Sequence, residues 1–414
     1  MKKNKNLDKK NVIWNTFGTA INAFNSLFFM IIAVRINGSK LAGIFTYAFS
    51  ISSLFNMIGT YHGRVFQVTE IEEFNDEDFF WNKILTCIIM ILLSFLFVLF
   101  NQYDTEKTLI ISILSIYRTL EAFAEVLYAY FQKNGELYKV GISLLVKNIL
   151  GLILFFIVDY FTKSILASSI ALVINYFIIM LIYDMKAIKE YNINLRLMNK
   201  INVRKILKKG FSPFILAFVI QLLINVPRYI IDLKTPSDSA VWGILIMPAT
   251  VMILIGQFCL APFLMRLFKL YSNHQIKDYL KLVSKICLFI LGGGILAVVL
   301  AWGLGIPVLN LVYGVNLNKY KISLVIIIIG AVFYGIQSVL YNLLVAMRYI
   351  SIQVYMYFGC IVIASILYYF LIVNKGIIGA SIAYLIVTML LFISYLGVFI
   401  YYSLKNGGSC NGEN

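Results

Sequence analysis

Charge is scarce in this sequence. Asp, Glu, Lys and Arg make up 13% of its 414 residues, where soluble domains carry about 25%. That deficit excludes an ordinary soluble multidomain enzyme. Acids are scarcer than bases, 19 against 35. Histidine occurs twice, and no H-E-x-x-H stretch exists. The five cysteines, Cys87, Cys259, Cys287, Cys360 and Cys410, form no C-x-x-C pair, and four of them fall in apolar runs. A disulfide framework and a thiolate metal site are thereby excluded. There is no Walker A run, no G-x-S-x-G elbow and no Gly-rich dinucleotide turn, so neither ATP hydrolysis nor a familiar catalytic site is expected. No cofactor is expected. No small-residue cleavage site follows "MKKNKNLDKKN", so a cytoplasmic N-terminus is expected rather than a signal peptide.

What the chain does have is hydrocarbon. Apolar residues are 61% of it, and mean hydropathy is +0.87. A membrane helix needs about 20 mostly apolar residues. Twelve such runs are expected, at about 12–34, 41–61, 82–100, 108–132, 142–160, 163–183, 210–231, 240–265, 282–302, 320–345, 352–373 and 377–401. A β-barrel would show short alternating segments instead. The net charge of +16 does not point to nucleic acid, because the basic residues sit in the gaps between apolar runs. With the N-terminus inside, the inner gaps hold 24 Lys and Arg and the outer gaps 8. That asymmetry supports twelve crossings with both termini cytoplasmic. The expected fold is an all-α polytopic membrane protein. The basic stretch 184–209 divides a six-helix bundle at 1–183 from a second at 210–401, followed by a cytoplasmic tail at 402–414. The basic stretch also suits anionic headgroups.

Three runs carry residues that oil should reject. An ionisable side chain near the bilayer centre costs about 2.5–3.5 kcal/mol on insertion scales. The stretch "IYRTLEAFAEVLYAYFQ", 116–132, places Arg118, Glu121 and Glu125 on one helical face, continued by Tyr128 and Gln132. Such a stripe faces other helices or water. It serves either as an ion pair pinning helices or as a functional site. The second glutamate needs another cation, a proton or water; Lys147 on the next run is the expected partner, and the alternative is that one glutamate is a site for protons or Na⁺. In "SPFILAFVIQLLINVPRYIID", Gln221, Asn225, Arg228 and Asp232 share a face, with Pro227 loosening the helix beside Arg228. Arg228 either lines a cavity or snorkels to the outer surface. The first run is amidic, with Asn15, Gly18, Asn22 and Asn25 on one face, as helix glue or as a saccharide contact. Arg35 and Arg64 close the first two runs. The acidic stretch "EIEEFNDED", 70–78, is a solvated run, a cation-attracting surface or a docking site. "LGGGIL", 291–296, is expected to pack closely against a neighbour.

The opening "NVIWNTFGTAINAFNSLFFMIIAVRINGSKLAGIFTYAFSISSLF" resembles polysaccharide flippases of the Wzx type, in the multidrug/oligosaccharidyl-lipid/polysaccharide (MOP) exporter superfamily. Asn15-Thr16, Arg35 and Ala42-Gly43 carry that likeness. "YRTLEAFAEVLYAYFQKNGELYKVG", "PFILAFVIQLLINVPRYIID" and "CLAPFLMRL" extend it. The resemblance implies two bundles in a V around a cavity. It also implies transport of undecaprenyl-pyrophosphate-linked oligosaccharide across the bacterial cytoplasmic membrane, for O-antigen, capsule or teichoic-type polysaccharide. Arg118, Lys147, Arg228, Arg35 and Arg64 would then meet the pyrophosphate, since cations suit phosphate oxygens and arginine binds them bidentately. Asn22, Asn25, Gln221 and Asn225 would meet sugar. Glu121, Glu125 and Asp232 would carry a coupling H⁺ or Na⁺. Membrane lipids and polysaccharide polymerase or assembly proteins are the expected partners. The alternatives are a cation-coupled multidrug exporter of the MATE type and a membrane polysaccharide polymerase or ligase; the short outer loops disfavour the latter.

Overall fold

The computed structural model describes residues 5–61, 63–69, 74–193, 199–260, 263–273, 275–347 and 349–408. Among them the backbone is nearly all helical, with no strand. His62, Arg348, Cys410 and the first part of the acidic stretch (70–73) lie outside the described residues.

Scarce proline lets helices run long, and two of them are broken only at glycine. Helix α1 (Lys5–Thr60) breaks at Gly38, with φ 74° and ψ 177°. The last helix, Ile350–Gly408, breaks at Gly376, with φ 55° and ψ −133°. Both conformations belong to a region open essentially to glycine, so each long helix is two helices joined without a loop. Between them come α2 (Gly63–Thr69), α3 (Asp76–Asn101), α4 (Thr105–Lys133), α5 (Leu137–Thr162) and α6 (Ile165–Ile179), the last running into a π-helical turn at Met180–Asp184. Then follow α7 (Lys186–Glu190), α8 (Lys200–Lys234), α9 (Ser239–Leu260), α10 (Leu264–Ser272) and α11 (Ile276–Leu300). After a second π turn come α12 (Ile306–Tyr313), α13 (Lys321–Ala346) and α14 (Ile350–Gly408).

Nine helices among the described residues are long and apolar enough to cross a membrane. Helix α4 is not one of them, because Arg118, Glu121 and Glu125 interrupt its apolar middle. Parting α1 and α14 at their glycines and adding α4 yields twelve helical segments among the described residues. Helix α3 shows what solvent they are built for. Its buried face holds Asp78, Asn82, Lys83, Thr86 and Ser94, while Leu92, Leu99 and Phe100 are 57%, 71% and 82% exposed. A helix polar inside and oily outside suits hydrocarbon surroundings.

The chain forms two compact units, Met1–Gln221 and Leu222–Asn414, and the divide falls within α8. In the first unit α5 packs against α1, α4 and α6. Gly18 and Gly141 let the α1 and α5 backbones touch: a Cβ built on Gly18 would lie 2.2 Å from the Gly141 carbonyl oxygen, and one on Gly141 2.2 Å from Trp14. Without a hydrophobic drive between helices in lipid, such close approach supplies the attraction. Gly141→Leu is expected to abolish the monodisperse peak of the detergent-solubilised protein on size exclusion. In the second unit α13 packs against α9, α11 and α14. The run of three glycines only partly meets its expectation. Gly294 faces Val332, 2.5 Å from a built Cβ, but nothing lies within 4 Å of Gly292 or Gly293. Consecutive helical residues point 100° apart, so one of three meets the neighbour.

The described part of the acidic stretch docks onto the chain itself. Lys133 Nζ donates to Asp76 Oδ1 at 2.7 Å, and Asn202 Nδ2 to Asp78 Oδ2 at 2.8 Å. Tyr61 stacks on Phe214 at 4.7 Å and donates to the Leu207 carbonyl at 2.9 Å. The start of α8, inside the basic segment, is thus tied to the first unit.

Candidate functional site

Helix α4 carries the charged stripe, and its two glutamates take two different arginines. Arg118 Nη1 lies 2.5 Å from Glu121 Oε2, one turn along the same helix. Its Nη2 donates to Ser53 Oγ at 2.9 Å, and its guanidinium sits 4.3 Å from the Phe49 ring centre. Tyr117 donates to the other oxygen of Glu121 at 3.2 Å. Nε of Arg118 is buried with no hydrogen-bond partner. One turn on, Arg64 of α2 lies 3.5 Å from Glu125, donates to Gln132 at 3.1 Å and approaches the Tyr128 ring at 5.7 Å. Both pairs keep some access: 17% on each side for Arg118–Glu121, and 23% and 31% for Arg64–Glu125. The predicted stripe is therefore assembled, and Arg64 joins it.

Lys147 does not serve as the second cation. Its ammonium is bonded to the Asp184 carboxylate and, at 3.0 Å, to Tyr128 Oη. Tyr128 in turn shares a hydrogen bond of 3.0 Å with Ser143. Lys147 and Asp184 are 1% and 0% exposed, so the pair joins α5 to the end of α6 and is closed to a solute. Asp184 was missed because it stands where the apolar run meets the basic segment, and so reads as a loop residue. It ends the π turn, closed by Met185 N–H donating to the Met180 carbonyl at 2.9 Å. The additional residue in such a turn shifts the helical phase, so wheel spacing could not have aimed this acid at Lys147.

The amides of α1 act as glue. Asn148 accepts from Asn25 at 2.6 Å and from Tyr176 at 2.6 Å, and donates to Asn22 at 3.0 Å. Asn25 is buried, while Asn22 is exposed. Lys83 is a further residue missed by sequence reasoning. It is 3% exposed and donates to the carbonyls of Gly59 and Thr60, at 2.9 and 2.7 Å. A lysine at a helix C-terminus complements both the orphan carbonyls and the dipole. Lys83→Met is expected to lower the Tm of the purified protein, by about 2 kcal/mol of stability at most; an unchanged Tm would remove the capping role.

On α8, Arg228 Nη1 lies 3.4 Å from Asn225 Oδ1. Asn225 and Asp232 are buried, Gln221 and Arg228 partly so. The helix runs through Pro227 without a break. Arg35 is exposed at the end of the first arm of α1. The second unit also holds an open apolar groove of about 510 Å³, lined by Leu222, Val226, Tyr229, Ile361, Tyr369 and Phe370. At its end Lys234 lies 5.1 Å from the Tyr369 ring centre. No group of three or more His, Cys, Asp or Glu able to hold a metal occurs among the described residues.

Residues 9–268 match the model of a family described as polysaccharide biosynthesis protein. A Staphylococcus aureus protein, capsular polysaccharide biosynthesis protein CapF, is 27% identical over 334 residues, 78% of this chain and 82% of that one. Among solved structures, the lipid II flippase MurJ in an inward closed conformation aligns with TM-score 0.72 at 16% identity, over 95% of this chain and 90% of that one. A MATE family multidrug resistance transporter of the MOP superfamily, facing inward, aligns with TM-score 0.65 at 10% identity, over 97% and 100%. At such identities the structural likeness is one of fold. It agrees with the all-helical membrane architecture expected from the sequence.

Proposed function

The chain belongs to the polysaccharide biosynthesis protein family, and on that premise we propose that it is a flippase for lipid-linked oligosaccharide. It carries undecaprenyl-pyrophosphate-linked repeat units from the inner to the outer leaflet of the bacterial cytoplasmic membrane, for a capsule-type surface polysaccharide. Transport proceeds by alternating access, with inward movement of H⁺ or Na⁺ as the driving force.

The observation that carries this reading is the two partly open ion pairs along α4, Arg118–Glu121 within the helix and Glu125 with Arg64 of α2. A pyrophosphate crossing hydrocarbon needs cations, and a guanidinium offers it a planar fork of donors. The headgroup displaces the glutamates from their arginines, and each released carboxylate takes up a proton or cation. When the headgroup leaves, the pairs re-form, so the arginines are never left bare in a low dielectric. Arg228 is the corresponding cation of the second unit. Lys147, enclosed with Asp184, holds the helices and does not touch the substrate. The apolar groove with Lys234 at its end suits an amphiphile with a long tail and an anionic head. A multidrug exporter selecting cations would be opposed by these same arginines.

The test is depletion of the protein in its native cell, with extraction of lipid-linked saccharides. Repeat units are expected to accumulate on the inner leaflet while surface polysaccharide disappears. Unchanged surface polysaccharide, with no lipid-linked accumulation, would overturn the reading.

A further inference from the structure

Five basic side chains of the second unit form no ion pair among the described residues. Arg266 and Lys269 lie on α10, and Lys277, Lys281 and Lys285 on α11, all of them exposed. Between 263 and 285 the sequence offers them a single acid, Asp278. The first unit differs. There Lys83, Lys133, Lys139 and Lys147 each meet a carbonyl or a carboxylate of the chain.

The two helices set these cations beside hydrocarbon. Residues four apart on a helix rise about 6 Å and share a stripe. Lys277, Lys281 and Lys285 form such a stripe on α11, opposite the buried Tyr279, Val283, Ile286 and Ile290. The exposed face then continues as Leu288 and Phe289, 64% and 69% exposed. A face that passes from lysine to leucine and phenylalanine passes from headgroups into acyl chains, and lysine stems reach back across that boundary. Helix α10 is divided in the same way. Leu267 is buried and Tyr271 lies 5.5 Å from the Tyr279 ring, so this side packs on α11. Arg266 and Lys269 project from the opposite side, and Leu264 and Phe268 stay exposed on the flank. A helix with basic residues on one face and bare Leu and Phe beside them is built to lie in a membrane interface.

We infer that α10 and the first three turns of α11 form a binding surface for anionic phospholipid headgroups. A phosphodiester brings each ammonium and guanidinium the acceptor that the chain withholds. On the twelve-crossing reading of the charges, the surface faces the inner leaflet. Each basic residue near an anionic surface strengthens attachment about fivefold. Helix α10 is the link between α9 and α11, so bound headgroups fasten that link at the level of the membrane surface. None of this rests on the flippase reading.

The full-length protein is placed in nanodiscs of phosphatidylcholine alone or with increasing phosphatidylglycerol, and amide hydrogen exchange is followed by peptide. Phosphatidylglycerol is expected to slow exchange over 264–286 saturably, and added NaCl to weaken the effect. Arg266→Gln with Lys269→Gln moves half-protection to about 25-fold more phosphatidylglycerol. The triple variant Lys277→Gln, Lys281→Gln and Lys285→Gln abolishes the protection, and arginine at the same three positions keeps it. Lys205→Gln with Lys208→Gln, exposed on α8, leaves protection of 264–286 unchanged. Should the triple glutamine variant not fold, the double variant on α10 carries the test. Equal exchange in the two bilayers overturns the surface, as does protection that survives in the glutamine variants. Equal protection by inorganic phosphate in phosphatidylcholine discs assigns these cations to a free anion and overturns it too.

Discussion

Lys147→Met is expected to cost about 3–5 kcal/mol and to leave little monodisperse protein after solubilisation. The reason is that Asp184, 0% exposed, would then be a buried carboxylate with its principal cation gone. Tyr128 and Ser143, linked to the pair at 3.0 Å each, are neutral and cannot replace it. Asp184→Leu alone strands the lysine and should cost a similar amount. The double variant Lys147→Met with Asp184→Leu is the informative one. Replacing both charges by apolar groups of similar bulk removes the desolvation cost along with the attraction, and such exchanges are often neutral or stabilising. Recovery of the size-exclusion peak in the double variant, with export retained, would establish the pair as a fastener. If the double variant folds but export is lost, the pair has a role in transport.

Arg118→Ala is the second large effect, and it falls on activity. The guanidinium makes a charge-assisted bond to Glu121 and one to Ser53, over the face of Phe49. Hydrogen bonds to charged groups contribute about 1.5–3 kcal/mol each, so each such bond that the phosphate takes over corresponds to roughly a 10- to 150-fold loss of export. Arg118→Lys keeps the charge but not the fork, so it should retain part of the activity. Alanine at 118 also strands Glu121. The double variant Arg118→Ala with Glu121→Gln therefore separates the two consequences: it should fold and still not export. Export measured as surface polysaccharide, against membrane abundance of each variant, checks this. Unchanged export in a folded double variant would remove Arg118 from the substrate path.

The same contrast explains how much of the site could be read in one dimension. The stripe Arg118, Glu121, Glu125, Tyr128 and Gln132 was legible because residues of one helix share a face at fixed spacing, and the structure keeps them together. The partners of that stripe were not legible. Arg64 reaches Glu125 from a short helix 61 positions earlier, and Asp184 reaches Lys147 from 37 positions later. Lys83 counted as an inner-surface charge, yet it is 3% exposed under the end of α1.

Composition alone determined that this chain builds helices for hydrocarbon, since long runs poor in charge have no other stable form in lipid. Its apolar runs marked where the helical segments lie, and its polar faces marked which residues had to turn inward. Which acid meets which cation was decided only in three dimensions. Helix crossings, a π turn before Met185 and two glycine breaks set those distances, and none of them is written in the spacing of residues along one helix.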